Sequence, residues 1–333
     1  MKKNLILFAL IVLAFSCKKS SSPVTSVIND SVSDISVASI KSTNNSGSQG
    51  DPAYNLLGYG YDITGKYADT SSVRGLAIDV KAYDINNPGR VVPDLSTTAT
   101  TLTLNAENAD NLALQLSSKT DETSGLKMFK GTITTPFGGQ DALSSKYVYG
   151  VFSVIIQQKR VKMMSNYDLL KNYLTPSFAN DIKVLSAADL VKKYGTHVLS
   201  DIVLGAKLNA YYQAESTSGN RLSAESNGLT YAISKVFGLS TGALDPINKS
   251  ELASITSPKI VYEAVGADQS KLILNTTTNP VSVDITSWHL SSTRAGAVFI
   301  DISQKGLMPI YELITDQAKK AEVKAYITTY LNN

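Results

Sequence analysis

A single cysteine, Cys17, stands in a chain of 333 residues, so no disulfide can close within it and no thiolate cluster can hold zinc or an iron–sulfur centre. Stability must come from the core. Histidine is nearly as scarce, with only His197 and His289, and neither sits among clustered carboxylates. No metal site is expected, and both residues read as structural. An excess of one charge is missing too: 31 Lys and Arg against 28 Asp and Glu leave +3, with no basic run beyond the N-terminus. Nucleic acid is therefore not expected as a partner. No apolar run reaches the roughly 20 residues of a spanning helix. No internal repeat is present.

What is present begins at the N-terminus. Lys2 and Lys3, the apolar run Leu5–Phe15 and then Ser16-Cys17 form a secretory signal, too short to span a bilayer. Because the one cysteine falls at the cleavage point after Ala14-Phe15-Ser16, segment 1–17 resembles a bacterial lipobox, which would make Cys17 the lipidated first residue of the mature protein. Residues 18–50 are rich in Ser, Asn, Thr and Gly without a sustained period, the composition of a flexible tether reaching roughly 30 Å. Residues 51–333 suit one large domain. The expected location is the bacterial outer membrane, lipid-anchored. Periplasmic and surface orientation, the latter including release on vesicles, both stay open, because Lys18-Lys19-Ser20-Ser21-Ser22 lacks the acidic cluster associated with surface export.

The most informative stretch is Leu190 to Leu208. Ser186 with Asp189 reads as a capping box, Leu190, Val191 and Tyr194 form an apolar helical stripe, and Gly195 is free to take the left-handed conformation that ends a helix. Ile202, Leu204, Ala206, Leu208, Ala210 and Tyr212 then alternate with their neighbours, a period of two that predicts a strand of unusual length. Gly205 removes a side chain where the sheet would bend or another backbone approach. Leu76, Ile78, Val80 and Ala82 predict a first core strand, Phe152, Val154 and Ile156 a second, and Val261–Val265 a fourth, the long one being the third. Thr175-Pro176 opens a helix ending near Val184, and Ala297–Ile302 is a further strand. Ile310–Leu331 closes the chain as a helix with Ile314, Ala318, Ala321 and Ala325 on one stripe.

The connections from first to second and from third to fourth core strand far exceed hairpin loops, so both insertions need a purpose. In the second, Leu229, Tyr231, Ile233, Phe237 and Leu239 alternate with Thr230, Ala232, Ser234, Gly238 and Ser240, interrupted by Lys235. In the first, Leu102 and Leu104, then Leu112, Leu114 and Leu116, alternate more briefly. Leu244, Ile247, Leu252 and Ile255 fit a helix instead. Each insertion exceeds the roughly 20 residues of a membrane hairpin, and its mixed periods suit either surface helices that never change or a region that is helical first and stranded later. Gly238-Leu239-Ser240-Thr241-Gly242 has the spacing of a nucleophile elbow without its strand-to-helix setting. Gly58-Tyr59-Gly60 lacks the third glycine of a dinucleotide fingerprint, so neither an enzyme nor a cofactor is expected. Tyr54, Tyr59, Tyr61 and Tyr67 read as core packing ahead of a glycan platform.

Tyr194-Gly195-Thr196-His197 resembles the Tyr/Trp-Gly-Thr-His-aromatic signature of the membrane attack complex/perforin (MACPF) family, with Val198 replacing the aromatic. Three more stretches fall in family order. Leu57–Asp84 resembles the opening of members from Bacteroidetes, and Val261–Gln269 resembles the Gly-Gly turn before the last core strand, with Gly266 kept and Ala267 replacing the second Gly. Trp288 with Leu307–Ile314 resembles the lead into the closing helix, so the resemblance runs from Tyr54 to Leu331. It implies an α+β fold: a bent four-stranded antiparallel sheet flanked by two helical clusters that can convert to β-hairpins. It implies that His197 ties the helix end to the central strand, and that Leu112, Leu114, Leu116, Leu229, Tyr231, Ile233, Phe237 and Leu239 are membrane-inserting candidates. The implied partners are a target membrane lipid or surface receptor and further copies of the chain in an arc or ring. The implied use is as an antibacterial toxin against related bacteria, and a non-lytic adhesion or colonisation module would use the same fold. Because the chain ends just after the closing helix, the additional C-terminal targeting domain of many relatives is not expected.

Overall fold

The structure, a computed structural model, describes residues 34–40, 51–118, 128–139, 141–164, 166–242 and 247–332. Met1–Ser31, which includes Cys17, lies outside them, as does Leu244, and the compact unit described is Val32–Asn333. Its strands are β1 (Ser36–Ser39), β2 (Tyr59–Tyr61), β3 (Val73–Leu76), β4 (Val91–Asp94), β5 (Thr98–Ala106), β6 (Tyr147–Met163), β7 (His197–Leu199), β8 (Asp201–Ser216), β9 (Ile255–Val265), β10 (Ile273–Asn275), β11 (Ser282–Asp284), β12 (Val298–Ile302) and β13 (Leu307–Pro309). Its helices are α1 (Val80–Asn86), α2 (Ala109–Ser117), α3 (Gly131–Thr134), α4 (Tyr167–Leu170), α5 (Pro176–Val184), α6 (Ala187–Tyr194), α7 (Arg221–Phe237), α8 (Lys249–Ala253), α9 (Thr286–Leu290) and α10 (Gln317–Asn332).

The main sheet runs β1-β9-β8-β6-β4, with β5 following β4 along β6 and β12 joining β8. Its core is antiparallel: β6 and β8 pair over nearly their whole length, and β9 and β5 flank them. β6 and β8 are long because both their faces are covered. On one face Tyr149, Val151, Tyr211 and Val261 group with Leu112 and Leu116 of α2 and with Phe129, Ile133 and Phe137. On the other, the Phe237 ring of α7 meets Tyr262 edge-on with centroids 5.8 Å apart. The two insertions thus lie on opposite faces of the sheet as helices, and alternation along each strand sends successive side chains to them in turn. A smaller sheet, β13-β7-β2-β3, adjoins it through the β7–β8 continuation.

Six expectations need correction. Leu76–Ala82 is no core strand: Leu76 ends β3, and the Asp79 carboxylate accepts from Ala82 N–H and caps α1. The first core strand is β5, so Leu102 and Leu104 belong to the sheet and not to the insertion. Ile255 starts β9 where a helical residue was expected, while Leu252 is buried in α8. The closing helix α10 buries Val323, Ile327 and Leu331, an i, i+4, i+8 stripe; Ala318, Ala321 and Ala325 are exposed, since bulkier side chains claim the inward face. Finally, Gly266 follows the last core strand instead of preceding it. β1 also falls inside the stretch read as a tether: Ile35 is buried and Ile40 N–H reaches Tyr262 O at 2.9 Å. The expected α5 and α6 are present, capped by Thr175 and Ser186, and the long strand lies at Asp201–Ser216.

Candidate functional site

The Tyr-Gly-Thr-His segment is a structural corner. Gly195 ends α6 with φ +76°, and a Cβ there would lie 2.5 Å from Tyr61 C and O, so both conformation and space demand glycine. The Tyr194 hydroxyl donates to Asp181 at 2.7 Å and its ring stacks edge-on against Phe178. The Thr196 backbone N–H bonds Tyr61 O at 3.0 Å, and its hydroxyl accepts from Ile63 N–H at 3.2 Å. His197 is fully buried, opposite Tyr61 and Pro309, with Nδ1 3.0 Å from the Thr196 hydroxyl. Burial drives its pKa down to about 3, so the ring is neutral and serves packing and hydrogen bonding. Tyr61 and Tyr67 are buried and Tyr54 and Tyr59 pack on the same core, so the tyrosines form no exposed platform.

Gly205 marks where the sheet changes partners. β8 pairs with β9 from Lys207 onward and with β12 over Ile202–Gly205, and β6 carries a register shift between Gln157 and Lys159 just opposite. A Cβ on Gly205 would lie 1.9 Å from Ile156 O, and one on Gly266 2.0 Å from Gly205 O. Close backbone approach on either side is what demands glycine here.

The membrane-inserting candidates lie on helices. Leu112 and Leu116 are buried on α2, but Leu114 is 65% exposed, a solvated leucine that helical packing does not use. On α7, Leu229, Tyr231, Ile233 and Phe237 are buried, Ser234 and Lys235 exposed, and Leu239 half-buried beyond the left-handed cap Gly238. Glu225 is the residue sequence reading passed over. It is fully buried, and among the described residues neither carboxylate oxygen nor the Tyr212 hydroxyl has a hydrogen-bond partner. A Cβ on Gly150 would lie 2.2 Å from Glu225 Oε1, so the carboxyl rests on β6 where glycine leaves room. Burial pushes its pKa well above the usual carboxylate range. The signal was available: Glu225, Leu229 and Ile233 share one i, i+4, i+8 stripe. A second omission is the buried group in which Lys66 pairs with Asp69, at 3.0 Å, and with Glu263 of β9, where sequence separation hid the partners.

Among the described residues no three His, Cys, Asp or Glu side chains gather as metal ligands, and Gly238–Gly242 follows a helix end, the wrong setting for a nucleophile elbow. No helix among them is long and apolar enough to cross a membrane.

A bent antiparallel sheet, a helical insertion on each face and a Tyr-Gly-Thr-His corner define the perforin-like class of proteins. The chain belongs to the MACPF family, its MAC/Perforin domain matching residues 47–333. It is similar in structure to a MAC/Perforin-domain protein from Bacteroides thetaiotaomicron, with 17% identity, a TM-score of 0.65, and 91% of this chain and 63% of that one covered. It is also similar to GNIP1Aa from Chromobacterium piscinae, with 17% identity, a TM-score of 0.60, and 83% and 55% covered. The chain thus spans less than two thirds of either protein's own length. At these identities the likeness concerns the fold. Among curated proteins none matches the sequence.

Proposed function

We propose that this protein assembles on a target membrane and inserts β-hairpins from its two insertions to form a pore, and that it acts as a lipid-anchored toxin against related bacteria. Family membership supports membrane insertion, and the lipobox-like Ser16-Cys17 supports the anchor. The observation that carries the reading is Leu114. On α2 it gains nothing from its exposure, yet in a strand it would fall in line with Leu112 and Leu116 on one apolar face. Burial of that face in hydrocarbon and pairing of strands supply the driving force, and no bond is made or broken.

Leu114 is also the place to test it, because a charge there leaves the water-soluble form undisturbed, whereas Ile233 is fully buried against the sheet. Leu114→Lys would put an ammonium group on the lipid face at a cost of about 2–4 kcal/mol per protomer at mid-bilayer depth. Asn111→Lys, on the opposite strand face, keeps its charge in water. Dye efflux from vesicles of target-bacterium lipid is expected to fail for the first and persist for the second. Equal efflux from both overturns the insertion of α2, and absence of efflux with the unaltered protein favours the adhesion module.

A further inference from the structure

At the end of the main sheet away from the insertions, four segments close around a cleft of about 400 Å³. Lys162 of β6 stands opposite Asp201 of β8 and Val92 of β4, and Arg90 precedes Val92 by two residues, so alternation puts Arg90, Lys162 and Asp201 on one face. The turn between β12 and β13 adds Lys305 to the lining. Backbone bonds hold these parts together: Met164 N–H reaches Arg90 O at 2.8 Å, Ser200 N–H reaches Gly306 O at 2.8 Å, and Ser303 N–H reaches Asp201 O at 3.1 Å.

The acid among the lining residues, Asp201, is buried and already grips Arg160 with both oxygens, at 2.8 and 2.6 Å. Its charge is committed. Lys162 lies 4.0 Å from the same carboxylate, beyond a hydrogen bond, and among the described residues the Arg90 guanidinium makes neither a hydrogen bond nor an ion pair. Lys305 carries a separate sign: it sits at φ +61°, in the left-handed region, where glycine would be free of strain. Keeping a lysine there points to use of its side chain.

We propose that this cleft binds a phosphate monoester on a polar carrier of about monosaccharide size, its phosphate held by Arg90, Lys162 and Lys305. A dianion answers several cations at once, as a single carboxylate would not, and a bare phosphate ion would leave most of the cleft unfilled. Gln304, also in the lining, offers the carrier an amide. β6 runs roughly 50 Å from Tyr147, where the first insertion returns, to Met163 beside the cleft, so a headgroup of the bilayer that the hairpins enter lies out of reach. The site stands whether or not a pore forms.

Calorimetric titration of the full chain with glucose 6-phosphate tests this, with glucose and inorganic phosphate as references. Saturable binding at least about tenfold tighter than to either is expected. Arg90→Gln/Lys162→Gln should weaken it at least about tenfold, while Lys259→Gln/Lys271→Gln, which removes the same charge at exposed positions elsewhere, should leave it unchanged. Lys305→Gly should weaken binding yet melt no lower than its parent, because the left-handed strain is relieved. Equal affinity for glucose and its phosphate, or equal losses in the two double variants, overturns the phosphate site, and inorganic phosphate bound as tightly overturns the polar carrier. Binding to phosphatidate vesicles but not to glucose 6-phosphate would assign the phosphate to a lipid headgroup and overturn the soluble carrier. A Lys305→Gly protein that binds like its parent overturns the place of Lys305 in the site.

Discussion

Gly195 shows how much one residue fixes in this fold. Its positive φ lets α6 stop two residues short of β7, and its missing side chain lets Tyr61 pass at contact distance. Gly195→Val is expected to cost at least about 1–3 kcal/mol, measured by urea unfolding, with the steric clash adding to the backbone strain. Unchanged stability would show that the corner relaxes freely. Glu225 makes the opposite kind of prediction, one of pH. Its folded pKa is raised above the ordinary 4.5, so the folded state keeps a proton that the unfolded chain has lost. Stability is then fully present below about pH 4.5 and declines as pH rises through the folded pKa. From β8 the Tyr212 hydroxyl faces the same pocket, and Arg221, one turn earlier on α7, is engaged with the carbonyls of Glu107, Ser145, Ser216 and Tyr147. Neither offsets the carboxylate. Glu225→Gln should flatten the decline, read as unfolding midpoints between about pH 5 and about pH 9. A slope unchanged by the substitution would place the sensitive group elsewhere.

At the scale of elements, α2 and α7 carry two patterns at once. In α7 the helical stripe through Ala224, Leu229, Ala232, Ile233 and Val236 is satisfied by the sheet, while the alternating set includes Lys235 and Leu239, which the helix leaves outside or half outside. Ile233→Ala is therefore expected to weaken the docking of α7 by about 2–5 kcal/mol, read as faster amide exchange confined to α7. Exchange unchanged in α7 would mean that its docking does not depend on this contact. The β6–β8 pair is the frame against which that release would occur. Gly205→Ala should strain the frame itself, since the added methyl meets Ile156 O and cannot be relieved by turning a side chain. Its cost is expected to appear in global unfolding and not in α7 alone, and a loss confined to α7 would contradict the role assigned to this position.

For the whole molecule, the strongest expectation is that attachment and assembly are separable. Cys17→Ala is expected to move the protein from the membrane to the soluble fraction, since acyl chains on this residue would supply the anchor. Detergent partition with unchanged mass would overturn the lipobox reading. The folded domain should melt as before, because Cys17 precedes the compact unit that starts at Val32.

Local rules were enough to read α5, α6, Gly195 and β8 from the sequence, because a cap, a positive-φ glycine and a period of two each act within a few residues. The Tyr-Gly-Thr-His string identified the family for the same reason: its members must follow one another to turn the corner. Tertiary structure alone decided the rest. Leu76–Ala82 alternates as a strand would, yet Asp79 caps it into α1 with Val80 and Tyr83 turned to the core. Thr98–Ala106 looks too polar for a core strand and becomes one because β6 offers it an edge. Glu225 meets Tyr212 and Gly150, Lys66 meets Glu263, and β1 finds β9, across separations that no local pattern spans. Side-chain periodicity records which face of an element is apolar; which neighbour covers that face depends on how distant segments close together, and only the folded chain fixes that.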